Sequence, residues 1–175
     1  MDIEAVYRQY YKNVYNYIAF RINNHFDTEE LTSTVFENAM RRLHTYKPMM
    51  APVEAWLIGI AKNVVTDYLR QKRHVLLVPL DDVIGLFASQ RQPEEVAVEK
   101  EENALLIRAM ARLKDKERQV LSMKFATDLK NYEIAEVMRI SESNVGVITY
   151  RAIRKLRKIL GEESAFDEKN RSKPN

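Results

Sequence analysis

Apolar residues recur every three or four positions over most of this chain, which is the spacing of helices that bury one face. Within residues 1–73 the spacing predicts three helices, the first ending near Asn23 and Asn24. The second opens with Asp27 and Glu30, a variant of the capping box. The third opens with Pro52, because proline suits the first turn of a helix. The intervening "HTYKPMMAP" is predicted to be a loop, since two prolines interrupt it.

The middle of the chain lacks this spacing. Residues 74–98 pass from the apolar "VLLVPL" to the start of the acidic run "EEVAVEKEE" at 94–102, so we interpret them as a flexible linker. Helical spacing resumes at about residue 99, with Asp115 as an expected N-cap. The sequence therefore predicts an all-α protein with two small helical domains, 1–73 and 99–160, and a disordered tail over 161–175. Domains of this size are marginal alone, which favours stabilisation by a large partner.

Residues 131–158 carry the most informative pattern. We expect Asn131 to cap a short helix, "RIS" to form a tight turn and Ser141 to cap a second helix. The buried stripe of that second helix falls at Val145, Ile148, Ala152 and Leu156. Two short helices joined by a tight turn form a helix-turn-helix, whose second helix enters the major groove of DNA.

The outward face of this second helix carries groups suited to DNA. A rotation of about 100° per residue places there Ser143, Val147, Tyr150, Arg151 and Arg154. Between positions 139 and 158, six basic residues accompany a single acidic one, a local net charge of +5. Cations near a helix C-terminus also complement the helix dipole, so part of this charge has a purely structural explanation. Together with the preceding turn, the pattern favours contacts to base edges and phosphates.

Composition excludes several other classes. The net charge is only +3, yet basic residues cluster at 70–74 and in the last helix, on either side of the acidic run. This distribution is typical of two nucleic-acid contacts with a connector. The chain has no cysteine and three scattered histidines, and its four glycines form no phosphate-binding loop. No metal, cofactor or catalytic site is predicted. Without a membrane-length apolar run or signal peptide, we expect a cytoplasmic protein with no membrane insertion.

Four stretches in this order resemble one protein family: "DTEELTSTVFENAMRRL", "AWLIGIAKNVVTDYLRQKRH", "LKDKERQVLSMKFATDLKNYEIAEVM" and "ISESNVGVITYRAIRKLRK". Over residues 3–160 the chain resembles the extracytoplasmic-function (ECF) sigma factors of bacterial RNA polymerase, within the sigma-70 family. The resemblance implies a promoter-recognition subunit that is not an enzyme. Residues 1–73 would form region 2 and residues 99–160 region 4.

The resemblance also implies three sets of functional residues. Region 2 would bind the clamp of the largest polymerase subunit through Glu30, Ser33, Thr34 and Glu37. It would bind and melt the minus-ten element through the loop at 44–52 and the third helix, with Tyr46, Lys47, Lys62, Asn63, Asp67, Arg70, Lys72 and Arg73. Region 4 would contact the beta-subunit flap and read the minus-thirty-five element with Ser141, Ser143, Asn144, Gly146, Val147, Tyr150, Arg151 and Arg154. Members of the family are usually held by an anti-sigma factor, so one is an expected partner.

Some positions depart from the family pattern or have two interpretations. Ser33 and Thr34 replace a common Gln-acidic pair, and Gly146 and Val147 stand where many relatives carry Lys and Ser. Gly146 is either tolerated or allows close approach to DNA. Trp56 matches an aromatic position of the family, although its spacing favours a core residue. The acidic linker is either a solvated charge run or a segment threaded through the RNA exit path.

Two other functions remain open from the sequence. An ordinary helix-turn-helix regulator would bind DNA without joining polymerase. A sigma-like decoy would bind polymerase without directing initiation.

Overall fold

The protein is described by a computed structural model that covers residues 2–75 and 105–171, with side chains over 2–72 and 105–161. Its regular elements within these ranges are all helical, as the sequence predicted. In chain order they are α1 Ile3–Ile22, α2 His25–Arg42, a 3-10 turn Leu43–Thr45, α3 Val53–Val75, α4 over 105–111, α5 Asp115–Ala126, α6 Asn131–Met138 and α7 Glu142–Arg171.

Asparagine residues define the junction between α1 and α2. Asn23 ends α1 in the left-handed conformation, at φ 52°, which asparagine tolerates better than most residues. The side chain of Asn24 then caps α2 by accepting from the backbone N of Asp27 at 2.9 Å. The prediction that Asp27 is the cap was therefore wrong. Since α2 begins two residues earlier, Asp27 lies inside the helix and its carboxylate is available to α3.

The starts of three other helices also shift by one residue. Asp115 and Asn131, predicted as caps, are the first residues of α5 and α6. The carboxylates of Glu117 and Glu133 accept from the backbone N of the preceding residues 114 and 130, at 3.2 and 2.7 Å. These bonds satisfy the amides at the helix entry without a capping side chain. Pro52 stands just before α3 rather than within it.

The turn between α6 and α7 fixes the helix-turn-helix. Arg139 ends α6 at φ 53°, and the backbone N of Ile140 donates to the carbonyl of Ala135 at 3.1 Å, as in a helix-terminating motif. Ser141 caps α7, because its Oγ accepts from the backbone N of Asn144 at 3.2 Å. The predicted cap and tight turn are both confirmed.

The two helical units share one hydrophobic core. α1 packs against α5, and α3 packs against α6. As a result Tyr17, Ile18 and Leu57 of the N-terminal unit belong to the same buried cluster as Met123 and Ile134 of the C-terminal unit. A smaller cluster lies wholly within the C-terminal unit, around Met110, Leu121 and Ala152. The units predicted from the sequence exist, but they are packed on each other.

Two predicted boundaries also change. α3 continues from the predicted end at 73 to Val75, and α7 continues through the predicted disordered tail to Arg171. Residues 162–171 contain neither proline nor glycine, and their Glu, Ala and Lys residues favour helix. Apart from its first two residues, the predicted linker lies outside the described residues. Neither described range contains a helix both long and apolar enough to cross a membrane.

Candidate nucleic-acid interface

One face of α7 is buried and the opposite face is open. Val145, Ala152 and Leu156 are at most 5% exposed, and they anchor the helix in the two clusters. On the other face, Val147 is 42% exposed and Tyr150 is 64% exposed. Ser143, Arg151 and Arg154 are exposed beside them. The 3.6-residue period therefore gave the outward face correctly.

The outward face combines an apolar contact, an aromatic ring and two guanidinium groups. The guanidinium carbon of Arg154 lies 5.9 Å from the centre of the Tyr150 ring, within range of a cation–π contact. Lys155, by contrast, turns to the body of the protein and pairs with Glu117 of α5 at 2.5 Å. Some basic residues of α7 therefore lie on its open face, and Lys155 instead links α7 to α5.

The remaining predicted residues of this helix have different roles in the structure. The hydroxyl of Ser141 is used as the N-cap, while the side chain of Asn144 is exposed at the first turn. Gly146 is half-buried, and a Cβ added there would meet no atom within 4 Å. The protein itself therefore has room for a side chain at position 146.

A second surface is formed by the loop before α3. Tyr46 packs on Trp56 with the ring centres 5.1 Å apart, and its hydroxyl donates to the carbonyl of Ala51 at 3.0 Å. Met49 and Met50 extend into solvent at 98% and 79% exposure. The sequence analysis missed this methionine pair, although two adjacent methionines between prolines are visible in the sequence. Trp56 is half-buried at the edge of the core, as expected from its spacing.

The predicted residues at the start and on the face of α3 are mostly accessible. Lys47, Asn63, Asp67, Arg70 and Lys72 are exposed. Of these, Asp67 and Arg70 form an ion pair at 2.6 Å. The backbone of Arg73 lies in α3, and its side chain is outside the described part of the structure.

Two of the predicted lysines have partners within the protein. The Nζ of Lys72 pairs with the carboxylate of Asp27 at 2.8 Å, and the hydroxyl of Tyr68 donates to the same carboxylate. Partial burial raises the pKa of Asp27, but these two hydrogen bonds outweigh it and hold the pKa below its usual range. The Nζ of Lys62 donates to the backbone carbonyl of Val137 in α6 at 2.7 Å. Burial, followed by the charge of Arg139, lowers the pKa of Lys62.

A groove of about 780 Å³ runs along the junction of α3 and α6. Trp56, Gly59, Lys62 and Asn63 line it from α3, and Met50 lines it from the preceding loop. The opposite wall is formed by Tyr132, Glu133, Glu136 and Val137 of α6, with Arg139 at the end. The groove is thus built by both helical units and places two carboxyl side chains opposite the lysine.

The residues predicted to bind polymerase lie on the outer face of α2. Glu30, Ser33 and Glu37 are exposed and Thr34 is half-buried. Both hydroxyls donate to carbonyls of their own helix, at 3.1 and 3.0 Å. Met40, which the sequence analysis missed, adds an apolar group exposed by 58% at the end of the same helix. The spacing of seven between positions 33 and 40 is the signal that could have found it.

An aromatic row on α1 adjoins this face and was also missed. Tyr7 lies 4.8 Å from Phe36 of α2 and 5.1 Å from Tyr11, measured between ring centres. Their spacing of four residues, continued by Tyr15, could have revealed the row. Among the side chains that the structure describes, no group of three or more His, Asp or Glu residues is placed to hold a metal ion.

The fold and these surfaces define a helical DNA-binding protein with a helix-turn-helix. Family comparisons agree: the model of Sigma-70 region 2 matches residues 6–75, and that of Sigma-70 region 4 matches residues 103–156. The two models together match most of the chain, so it belongs to the sigma-70 family. Its curated relatives include ECF RNA polymerase sigma factors.

Two curated relatives illustrate the match. The chain is 32% identical over 159 residues to the ECF RNA polymerase sigma factor BldN of Streptomyces coelicolor, covering 91% of this chain and 60% of BldN. It is 29% identical over 158 residues to the ECF RNA polymerase sigma factor SigM of Bacillus subtilis, covering 90% of this chain and 94% of SigM. The chain therefore spans less than two thirds of BldN but nearly all of SigM.

The fold has a counterpart among solved structures. It is similar to the sigma factor RpoE of Bartonella quintana, solved in complex with the anti-sigma factor NepR. The TM-score is 0.72 at 14% identity, over 90% of this chain and 96% of that one. At this identity the likeness concerns the fold alone.

Proposed function

We propose that this protein directs bacterial core RNA polymerase to specific promoters by reading their minus-thirty-five element with α7. The observation that carries the proposal is the open face of α7, where Val147, Tyr150, Arg151 and Arg154 are exposed while the opposite face is fixed in the core. A helix-turn-helix presents this face to the major groove.

Each group on this face has a chemical role in DNA recognition. The methyl groups of Val147 suit the C5-methyl of thymine, and a guanidinium group suits guanine or a phosphate. The contact of Arg154 with the Tyr150 ring limits the freedom of its side chain, which favours a defined contact. Ser143 and Asn144 would supply hydrogen bonds at the N-terminal end of the helix, and Gly146 would permit close approach of the backbone.

Recognition of the minus-ten element would involve α3 and the loop before it. Tyr46 and Trp56 offer stacked rings, and Met49 and Met50 offer apolar groups, for a base drawn out of the duplex. Four further exposed side chains could contact the strand: Lys47, Asn63, Asp67 and Arg70. Lys62, Lys72 and Arg73 complete the set proposed from the family resemblance. The first two would have to exchange their present partners for phosphates.

The partners follow from the same proposal. Core polymerase would bind through its clamp to Glu30, Ser33, Thr34 and Glu37, and through the beta flap to the C-terminal unit. An anti-sigma factor would hold the protein inactive, as NepR is found with the RpoE of Bartonella quintana. The protein would act in the cytoplasm without catalysing a reaction of its own. It would need no cofactor.

Run-off transcription tests the proposal. Purified bacterial core polymerase is incubated with and without the protein on fragmented DNA from its own source. We expect discrete new transcripts that disappear when Arg151 and Arg154 are both changed to alanine. The matched control changes Arg8 and Lys12 to alanine, which removes the same charge from the exposed surface of α1 and should leave the transcripts in place.

The alternatives give different results in this assay. Binding to polymerase without any transcript would favour the decoy. Failure to bind polymerase, combined with binding to DNA, would favour the ordinary regulator.

A further inference from the structure

We propose that Met49 and Met50 form a modification site, at which a peroxide oxidises the thioether sulfurs to sulfoxides and thereby lowers initiation at promoters. The inference rests on the proposed function, which assigns the loop before α3 to the minus-ten element. It adds a covalent control of that loop, one that leaves the fold and the minus-thirty-five surface intact.

The methionines of this chain differ in their access to water. Met49 is 98% exposed and Met50 is 79% exposed, whereas Met110 and Met123 are fully buried in the two hydrophobic clusters. Met40 on α2 is intermediate, at 58%. Because oxidation of methionine follows the access of the oxidant to sulfur, a dissolved peroxide meets the loop pair first. It reaches the core sulfurs only when the fold opens.

The loop holds the methionine pair out in water as part of the folded structure. The backbone N of Met50 donates to the carbonyl of Lys47 at 3.0 Å, which closes a turn. The hydroxyl of Tyr46 donates to the carbonyl of Ala51 at 3.0 Å, and its ring packs on Trp56. These contacts brace the loop on both sides of the pair, so the pair is exposed without any unfolding.

The pair also adjoins the ring that is proposed to receive a base. Met50 lines the groove along α3, and Trp56 and Asn63 line the same groove. Apolar side chains that stand in water gain free energy when a partner covers them. A base drawn out of the duplex would cover the two thioethers, and its capture would then depend on their apolar character.

The oxidation needs no group from the protein. The thioether sulfur attacks one oxygen of hydrogen peroxide, the O–O bond breaks and a sulfur–oxygen bond forms. The proton of the transferred oxygen moves to the second oxygen, which leaves as water. The sulfur loses an electron pair and the peroxide gains it. Since the chain contains no cysteine, its sulfur chemistry with peroxides is that of methionine.

Oxidation changes what the loop offers to a base. A sulfoxide is polar and chiral, whereas the thioether is apolar and flexible. A polar group that is buried without a hydrogen-bond partner costs free energy. The contact with an extruded base would therefore become unfavourable. The recognition helix α7 contains no methionine, so its binding to the minus-thirty-five element should persist.

The experiment treats the full chain with hydrogen peroxide, destroys the excess with catalase and only then adds untreated core polymerase. Peptide mass spectrometry follows the uptake of oxygen at each methionine, and far-UV circular dichroism verifies that the helices persist. Run-off transcription uses a promoter identified with the untreated protein. Fluorescence anisotropy measures binding to a duplex that carries the minus-thirty-five element of this promoter.

Two variants separate the loop pair from the exposed methionine of α2. Met49→Leu combined with Met50→Leu removes both sulfurs and keeps apolar side chains of similar volume. Met40→Leu is the matched control, because it removes an exposed sulfur at another place. Each protein is compared with its own untreated sample. The measured quantity is thus the fraction of its transcription that survives peroxide.

We expect Met49 and Met50 to take up oxygen first, and wild-type transcription to fall about tenfold, the effect of one unpaired polar group moved out of water. Met40→Leu should lose as much as the wild type, and the double leucine variant should keep most of its transcription. Binding to the minus-thirty-five duplex should not change. Both methionine sulfoxide reductases, supplied with a thiol reductant, should restore the transcripts of the oxidised wild type.

Equal losses in the wild type and the double leucine variant would overturn the inference. Full transcription from a protein whose loop pair is oxidised would overturn it as well. Transcripts lost together with the helical signal, or not restored by the reductases, would attribute the loss to unfolding or to other damage. Failure of the proposed function is separate, since the untreated wild type would then give no transcripts.

Discussion

Gly146 provides a test of recognition at a single residue. Because a Cβ at this position meets no atom within 4 Å, Gly146→Ala should raise the free energy of unfolding by about 0.5–1 kcal/mol, as expected for a helix interior. If the backbone of α7 approaches DNA closely here, the same methyl group should weaken promoter binding. Urea unfolding and anisotropy with a promoter duplex identified by run-off transcription measure the two effects.

Gly161 supplies the matched control for that variant. It lies later in α7, and a Cβ there would likewise meet no atom within 4 Å. Gly161→Ala should therefore stabilise the helix and leave promoter binding unchanged. Equal promoter affinity of Gly146→Ala and the wild type would show that glycine at 146 is merely tolerated.

The carboxylate of Asp27 predicts a pH dependence of stability. Its folded-state pKa lies below the usual range because of the bonds from Lys72 and Tyr68, so the unfolded chain binds the proton more readily. The Asp27 contribution is then present above the ordinary carboxyl pKa of about 3.9 and is lost as pH falls through the folded-state value. Asp27→Asn should reduce stability at neutral pH and lessen its fall with acid, measured by urea unfolding at several pH values. A parallel pH profile for variant and wild type would contradict this role.

For single residues, the sequence predicted which side chains face solvent better than it predicted their hydrogen-bond and ion-pair partners. The exposure of Val147, Tyr150 and Arg154 follows from helical periodicity alone. The partners of Lys62 and Lys72 lie 75 and 45 residues away along the chain. Such pairings depend on how helices pack, and a local pattern contains no information about them.

Among the helices, α7 has its first turn capped by the hydroxyl group of Ser141. Ser141→Ala removes the side chain that accepts from the backbone N of Asn144 at 3.2 Å, and it should lower stability by about 1 kcal/mol. Ser143→Ala is the matched control for stability, since Ser143 is exposed within the first turn and Ser141 remains as the cap. Chemical denaturation compares the two variants. A loss of similar size in both would show that the cap contributes nothing specific.

Helix starts were predicted within a few residues, and the errors at these starts share a cause. Asp27, Asp115 and Asn131 are all good capping residues by type, yet each lies inside its helix. A carboxylate three residues after the entry, as at Glu117 and Glu133, can bond the entry amide equally well. When two nearby side chains can each accept a hydrogen bond from the backbone N–H groups at the helix entry, the sequence alone does not show which of them does so.

For the whole molecule, the shared core predicts that both units unfold together. Trp56 is the sole tryptophan and lies on α3 at the groove between the units, so its fluorescence reports the surroundings of α3, whereas far-UV circular dichroism reports the helices of both units. Because one cluster joins α1 and α3 to α5 and α6, the two signals should change at the same urea concentration. Asp115→Asn removes the carboxylate that pairs with the buried Arg21 at 2.8 Å, so in this variant the two transitions should separate. Separate transitions in the wild type would contradict a shared core.

The sequence predicted two units but not their contact. The apolar stripes of the helices are compatible both with a separate core inside each unit and with an apolar interface between the two units. Arg21 would be taken for a solvent-exposed residue at the end of α1, yet it is among the most buried side chains of the interface. Only the tertiary arrangement identifies its partner, 94 residues further along the chain.

The packing of α1 on α5 also bears on how far the chain can be shortened. Because both units contribute to one buried cluster, a fragment that contains only one unit would expose the apolar side chains that the other unit covers. Exposed apolar patches promote aggregation, so each half produced alone should aggregate more readily than the whole chain. A reagent that needs only one of the two surfaces would therefore still have to retain both units.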